Sequence, residues 1–520
     1  MRNMKTCAQT TLFVIALLTA IFPLAFPSAT ATDGWTLAVD SRAVKGSPDL
    51  REYVWEKNAS MLGSDPFTKV TVPNGPYDKI GLHRLLKPGI TSKGAVFIDP
   101  GLYGSGEQLI SNPPSSNYSA DESSSQPIYW ANRGFEVFSI DWRAHFLPTT
   151  MNKSQAGAVA VNWGYTQYIN DMKEAVDKAK ELSGNSKVFL AGFSWGGAVA
   201  MFYASQYWQQ DLKGLILLDG GYNTIKSASV TNSQNATTIL NMVRAAGNLA
   251  QEFPGLIYNT SSGMLFAYQN TVQNPGAPAE WPLGTPLQPT INPLTNKTWT
   301  NITEYFAYQM NSIKYTNIYA GYGNIAAIVK FWAGCDRYWP MRLGAEQIAL
   351  FDWNNCPFVP YDFDDHYKEI NVPTLTLRTA LWGIPTYGNY TNGMATTDFT
   401  RMVLSNYGHL DVYTGPYSAR DVSEPVYQWM LSHLSTLDVT AFSSVTVLPG
   451  WTWNFFVHNK GGEAPYTYQW YEGMNSIQGQ TSMVLPISKN APGVYSFYCR
   501  VTDNDGTTTT SNAVTLAVMG

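Results

Sequence analysis

The chain has 520 residues, 44 % of them apolar and only 14 % charged, with 33 Lys and Arg against 38 Asp and Glu for a net charge of −5. At roughly 100–200 residues per domain this length allows two to four domains, and so low a charge density excludes a disordered tail, a coiled coil or a charged rod. No block of basic residues occurs, which removes the phosphate contacts on which sequence-independent nucleic-acid binding depends.

At the N-terminus, Arg2 and Lys5 precede an apolar run from Leu12 to Phe22, and Ala29-Thr30-Ala31 follows. This is the basic region, apolar region and small-residue cleavage pattern of a secretory signal. The run is short of the roughly 20 apolar residues that a membrane span requires. Residues 1–31 therefore read as a signal peptide and the mature protein as secreted or cell-surface, with no stable membrane span. In such an oxidising compartment Cys335 and Cys356, close in sequence, are expected to form a disulfide, with two free buried thiols as the alternative. No CxxC or His-rich spacing points to a metal, and no cofactor is expected.

From about Ile80 to Leu434, short β-branched or apolar runs alternate with helix-like stretches, the pattern of a mostly parallel sheet covered by helices on both faces. Gly94–Pro100 reads as a buried strand running into a Gly-rich turn, and Phe135–Ile140 as the next strand. Tyr165–Leu182 has apolar residues at three- and four-residue intervals and stops at Ser183-Gly184, which predicts a helix packed on the sheet. Lys187–Ala191 is a strand, Gly196–Trp208 a helix and Leu215–Leu218 a strand. After Gly221 the alternation fails until about Asp365, so residues 222–365 read as an inserted cap between two parts of one core, 32–221 and 366–437. The sheet resumes with Pro373–Leu377 and Thr400–Leu404, and the helix Glu424–Leu434 closes it. From Ser443 the composition turns to Thr, Val and Gly with alternating strands, a separate all-β module over 443–520.

Gly192-Phe193-Ser194-Trp195-Gly196-Gly197 lies between a predicted strand and a helix opened by small residues. In that context the glycines permit a sharp turn that pushes the serine hydroxyl out at the carboxyl edge of the sheet, as a nucleophile requires. Such a serine needs a base, and His409 emerges directly after the strand-like Arg401–Asn406, at the same edge. The third group must orient the imidazole and offset its charge. No Asp or Glu occurs between Asn371 and Thr397, after the strand Pro373–Leu377, and Asp398 precedes its strand, at the wrong end. Asp219 ends the strand next to that of the nucleophile and leads the candidates; its competing role is a loop-capping aspartate, and Asp411 is an alternative. Backbone N–H groups of Trp195 and of Leu102, just past Pro100-Gly101, are the candidate oxyanion donors. The Gly-rich turn has no P-loop lysine and opens no G-x-G-x-x-G helix, which disfavours a nucleotide.

Asp99-Pro100-Gly101-Leu102, Asn132-Arg133-Gly134-Phe135, Asp141-Trp142-Arg143, Gly192–Gly197 and Gly408-His409 together resemble the α/β-hydrolase superfamily over roughly residues 80–435. The resemblance implies an eight-stranded, mostly parallel sheet, a cap after the sixth strand and a serine–histidine–acid triad in chain order. It also marks Asp141 and Arg143 as a structural loop pair without a catalytic role. Two departures stand out. Pro100 replaces the usual histidine, and the acid that most often follows the seventh strand is absent, whereas members using the sixth strand favour Asp219. In the C-terminal module, Tyr466–Tyr471 and Gly493–Asp503 resemble Ig-like or PKD-like sandwiches of microbial surface proteins, which act as spacers or contact glycans and surfaces.

The leading expectation is a secreted serine hydrolase acting on a small-molecule or polymeric carboxylic ester. A capped peptidase of the prolyl-aminopeptidase kind is the second reading and would use carboxylates such as Asp362, Asp364 and Asp365. A surface adhesion protein whose hydrolase domain has lost activity is the third.

Overall fold

The computed structural model describes residues 34–61, 74–90, 92–102, 104–110, 121–148, 150–222, 366–381, 393–434, 437–460, 462, 466–503 and 507–520, with 291–292, 297–298, 331, 335–336, 338–340, 342–343 and 346 from the insertion. The predicted signal segment, Asp362, Asp364, Asp365, Cys356 and most of the predicted cap lie outside these residues.

The N-terminal part is built on one nine-stranded sheet. Strands β1 (Trp35–Val44), β2 (Ser47–Asn58) and β3 (Lys79–Leu86) form an antiparallel edge, and β3 runs antiparallel to β5 (Glu136–Asp141). From β5 the order continues through β4 (Ala95–Asp99), β6 (Val188–Phe193), β7 (Leu212–Leu218), β10 (Thr374–Thr379) and β11 (Phe399–Leu404), all parallel. The two-residue strands β8 (Ile291–Asn292) and β9 (Lys297–Thr298) pair with each other in the insertion. The central strands are continuous apolar runs, buried residue by residue, as strands covered on both faces must be.

Nine strands replace the eight expected. The extra one is β1, joined to β2 by a tight turn at Lys45-Gly46. Irregular register between Leu37 and Arg42 breaks the two-residue period by which a strand is recognised.

Two apolar layers flank the sheet. On one face α3 (Lys153–Ala160), α4 (Tyr165–Ser183) and α5 (Trp195–Asp211) enclose a core that includes Trp163, Tyr168 and Phe202, joined by Tyr338, Trp339 and Leu343 of the insertion. On the other lie α1 (Gly106–Ile110), α2 (Gln126–Asn132), α6 (Asp411–Thr414) and α7 (Glu424–Ser432), around Trp130, Phe189, Leu375 and Trp429. Helix α4 ends where its sequence says it should, at Gly184 with φ of 69°, a conformation a side chain disfavours. Helix α2 starts at Ser125, whose side chain accepts the Ile128 N–H.

The C-terminal residues form a three-stranded sheet, β12 (Asp438–Phe442), β14 (Thr452–Lys460) and β17 (Val484–Ser488), and a six-stranded one containing β13 (Val445–Val447), β15 (Thr467–Glu472), β16 (Asn475–Ser476), β18 (Gly493–Thr502), β19 (Thr508–Thr510) and β20 (Val514–Val518). One core serves both sheets, with Phe455, Trp470, Phe497 and the free thiol of Cys499 at its centre. Strand β12 already belongs to this unit, ahead of the change of composition at Ser443. Among the described residues no helix is long and apolar enough to cross a membrane.

Candidate active site

Parallel strands deliver their following loops to one edge of a sheet, and in open α/β sheets that edge is where sites form. Phe193 pairs with Leu218, and Leu218 with Leu377, so the residues that follow β6 and β7 and those that end β10 leave the sheet at one level.

Ser194 follows β6 at φ 56° and ψ −123°, a backbone state that costs a non-glycine residue about 1–3 kcal/mol. The turn is tight enough that a side chain at Gly192 would lie 2.2 Å from the Gly196 carbonyl oxygen. Ser194 is also the N-cap of α5, a position where a serine normally caps the helix. Here the hydroxyl makes no capping bond. It points instead at His409, whose Nε2 lies 2.7 Å from Ser194 Oγ.

His409 Nδ1 lies 2.7 Å from Asp219 Oδ2, and an ionised carboxylate there makes Nδ1 the protonated nitrogen and Nε2 the acceptor of the Ser194 proton. Asp219, at φ 46°, is likewise in a left-handed conformation. Its carboxylate is fixed by two further donors from one residue: Thr379 N–H to Oδ1 at 2.7 Å and Thr379 Oγ1–H to Oδ2 at 2.6 Å. The structure thus brings Ser194, His409 and Asp219 into one hydrogen-bonded line, with His409 and Asp219 buried and Ser194 partly exposed. Thr379 ends β10, the seventh strand counted from β2, where the resemblance led us to look for an acid. It serves the sixth-strand aspartate instead, and nothing in the sequence pattern marks it.

The other acids are elsewhere. Asp398 precedes β11 and sits 3.2 Å from His433 Nε2 at the opposite edge. Asp411 Oδ2 accepts the Gly408 N–H at 2.7 Å and so braces the turn that presents His409.

Leu102 and Trp195 lie on the two segments that flank the serine. Gly101 has φ of 92°, and a side chain there would come within 2.6 Å of Phe193 O and 3.5 Å of Ser194 Cβ, so the Gly101-Leu102 loop lies directly over the elbow. Trp195 opens α5, where backbone N–H groups point out of the helix end.

Beside this loop is a buried charge network that sequence reasoning did not find. His83 Nδ1 is 2.6 Å from Glu52 Oε1 and Nε2 2.7 Å from Asp141 Oδ2, both carboxylates buried. Burial alone would lower the His83 pKa, but Asp141 and Glu52 raise it to about 9. Against the upward push of burial, His145 and His83 hold Asp141 well below the ordinary carboxylate range. His145 Nδ1 meets Asp336 Oδ1 of the insertion at 2.7 Å. Asp141 and Arg143 are both structural but are not each other's partners: Arg143, fully buried, pairs with Asp78 and Asp171.

The expected Cys335–Cys356 disulfide is absent, since Cys335 is a free thiol. Gln108 Nε2–H donates to its sulfur at 3.2 Å, a contact that occupies the side chain in the core interface. Among the described residues no group of three His, Cys, Asp or Glu side chains is placed to hold a metal ion.

Residues 95–319 match the family described as the alpha/beta hydrolase fold. Among solved structures, the chain is similar to a "putative lipase" from Sulfolobus solfataricus at 26 % identity and a TM-score of 0.53, covering 76 % of this chain and 99 % of that one. Fainter likenesses, each at 13 % identity over 68 % of this chain, are to a bromoperoxidase from Bacillus anthracis (TM-score 0.38, 96 % of that chain) and an esterase from Exiguobacterium antarcticum (TM-score 0.36, 95 % of that chain). The large sheet and its two helical layers have the α/β-hydrolase fold.

Proposed function

We propose that this chain is a secreted serine hydrolase that cleaves carboxylic esters through an acyl-enzyme. One observation carries the reading: Ser194 Oγ, His409 and Asp219 stand in line at 2.7 Å spacings, with the imidazole between hydroxyl and carboxylate. The likeness to the Sulfolobus protein supports an ester substrate in preference to a peptide.

In this reading the Ser194 Oγ–H proton passes to His409 Nε2 as Oγ bonds to the ester carbonyl carbon. Negative charge then collects on the former carbonyl oxygen, which the backbone N–H groups of Leu102 and Trp195 receive; such donors are commonly worth about 3–4 kcal/mol each. Asp219 stabilises the imidazolium without taking its proton. His409 gives that proton to the leaving alkoxide, the carbon–oxygen bond breaks and the alcohol departs. Water then attacks the acyl-enzyme, its proton passing to Nε2 and on to Ser194 Oγ, and the carboxylic acid leaves. A serine nucleophile sets this chemistry apart from fold members that attack through aspartate.

The signal reading of residues 1–31 supports export, and a secreted protein beginning at Thr32 is the result expected from N-terminal sequencing. For the C-terminal β unit we propose an Ig-like spacer, with glycan or surface contact as its further role.

A fluorophosphonate probe tests the central claim. The protein should label covalently, and Ser194→Ala should abolish both labelling and hydrolysis of chromogenic esters. An unlabelled wild-type protein would overturn the proposal and favour a surface protein built on an inactive hydrolase fold. Turnover of aminoacyl anilides in preference to esters would favour the peptidase reading.

A further inference from the structure

Asp99, the last residue of β4, is fully buried, and its two carboxyl oxygens have different surroundings. Oδ1 accepts the Gly101 N–H at 3.0 Å, across Pro100. Oδ2 is shut away from solvent and makes no hydrogen bond within 3.5 Å; the Trp142 indole N–H, also unpaired at that distance, acts on the carboxyl from farther off. The same carboxyl lies against the first turn of α5: a side chain at Gly196 would come within 2.7 Å of Oδ1 and 2.9 Å of Cγ. One buried group therefore touches both segments that flank the nucleophile, the loop carrying Leu102 and the helix end carrying Trp195. A carboxyl without a counter-ion in such a place has a reason to be tested, because burying an unpaired charge is costly.

Resting on the acyl-transfer reading above, we propose that Asp99 is a positioning residue of the oxyanion hole that works as the uncharged acid: it ties the Leu102 loop to the α5 N-terminus, and on ionising it sets a negative charge behind the oxyanion and slows the reaction. The group touches neither the substrate nor Ser194 Oγ, so it acts through the backbone it holds. Burial raises its pKa to about 7, against the lowering pull of the Gly101 N–H and the Trp142 indole. The titratable groups coupled to it are Tyr165 and Tyr168 on α4 and Tyr413 on α6, phenols that burial pushes so far upward that they stay neutral. No cation and no other carboxylate among the described residues acts on it. Its ionisation thus falls where the enzyme would work. The emerging charge would meet the developing oxyanion in a water-excluded site, where like charges repel more strongly than in water.

The experiment is a pH profile of kcat and KM on a soluble activated ester for the full secreted chain and for Asp99→Asn and Asp99→Ala. Wild-type kcat should fall at least tenfold as the pH rises through about 7 to 9, with KM little changed. Asp99→Asn keeps an acceptor for the Gly101 N–H but cannot ionise, so its profile should lack that alkaline decline. Asp99→Ala loses the tether, and its kcat should be tenfold or more below that of Asp99→Asn at pH 6. A purely structural role would lower thermal stability and leave the shape of the profile unchanged. An alkaline decline that survives in Asp99→Asn, or an Asp99→Ala kcat equal to that of Asp99→Asn, overturns the proposal; if Asp99→Ala does not fold, the Asp99→Asn profile decides alone. Failure of the underlying reading is told apart by Ser194→Ala: hydrolysis that persists in that variant rejects the serine mechanism, whatever Asp99 does.

Discussion

The ring of Phe193 lies nearly flat on the imidazole of His409, 4.8 Å between centroids with 21° between planes. The residue before Ser194 thus covers one face of the proposed base. When His409 carries a proton in transit, that aromatic face is opposed to a cation, an attraction of about 0.5–2 kcal/mol. Replacing Phe193 by Leu retains an apolar contact and loses the quadrupole. The expected outcome is a fall in kcat of about fivefold, since each 1.36 kcal/mol is tenfold in rate, with KM near the wild-type value. Steady-state kinetics on an activated ester measures it, and an unchanged kcat would remove Phe193 from the argument.

Asp219→Asn should lower kcat by about 10³–10⁴, because the amide presents its N–H₂ or its weaker oxygen to Nδ1 and loses the tautomer that leaves Nε2 free to accept. Thr379→Val is the subtler test. It deletes one hydroxyl donor to the same carboxylate and leaves the backbone N–H in place. Hydrogen bonds to charged groups are worth about 1.5–3 kcal/mol, so a drop in kcat of about tenfold is expected. Combined with Asp219→Asn, the threonine substitution should add little, because both act on one interaction. A fully multiplicative double variant would show that Thr379 acts elsewhere.

His83 is held between two buried carboxylates with its pKa raised to about 9, above the 6.5 of an exposed imidazole. A folded-state value above the unfolded one means that its contribution to stability is whole below pH 6.5 and is lost as the pH climbs through about 9. His83→Gln takes one cation from each of Glu52 and Asp141, which keep Arg42 and His145, so the loss at neutral pH should be smaller than the about 3–5 kcal/mol of a buried charge left with no partner. Thermal unfolding between pH 6 and 10 checks both statements: the wild-type midpoint should decline across that window and the variant's should decline less. Equal slopes would refute the assignment.

Cys335 should be recovered alkylated when the purified protein is denatured in iodoacetamide without reductant, and it should resist the reagent in the folded state, where it packs against Gln108. Peptide mapping distinguishes this from a bridge to Cys356. A Cys335-containing disulfide peptide would refute it.

Much of the site could be read along the chain because it depends on local patterning. The run from Val188 to Phe193 is uniformly apolar, the glycines around Ser194 permit a turn that other residues would block, and His409 follows a strand; each is a statement about a few neighbouring residues. The N-terminal hairpin was harder to see, since the irregular register between Leu37 and Arg42 erases the alternation that announces a strand. The disulfide expectation erred differently: proximity along the chain says nothing of what a cysteine packs against.

Strand order and side-chain partnership are another matter. Local sequence determined where Ser194 and His409 must emerge, because strand, turn and helix propensities act over a handful of positions. That Asp219 and neither Asp398 nor Asp411 meets the imidazole, that Thr379 locks it, and that Asp99 lies buried between the two donor segments were decided only when β4, β6, β7 and β10 came together. Those contacts join residues as far as 190 positions apart, and hydrogen bonds of that range form only once burial of the sheet has fixed which strands are neighbours.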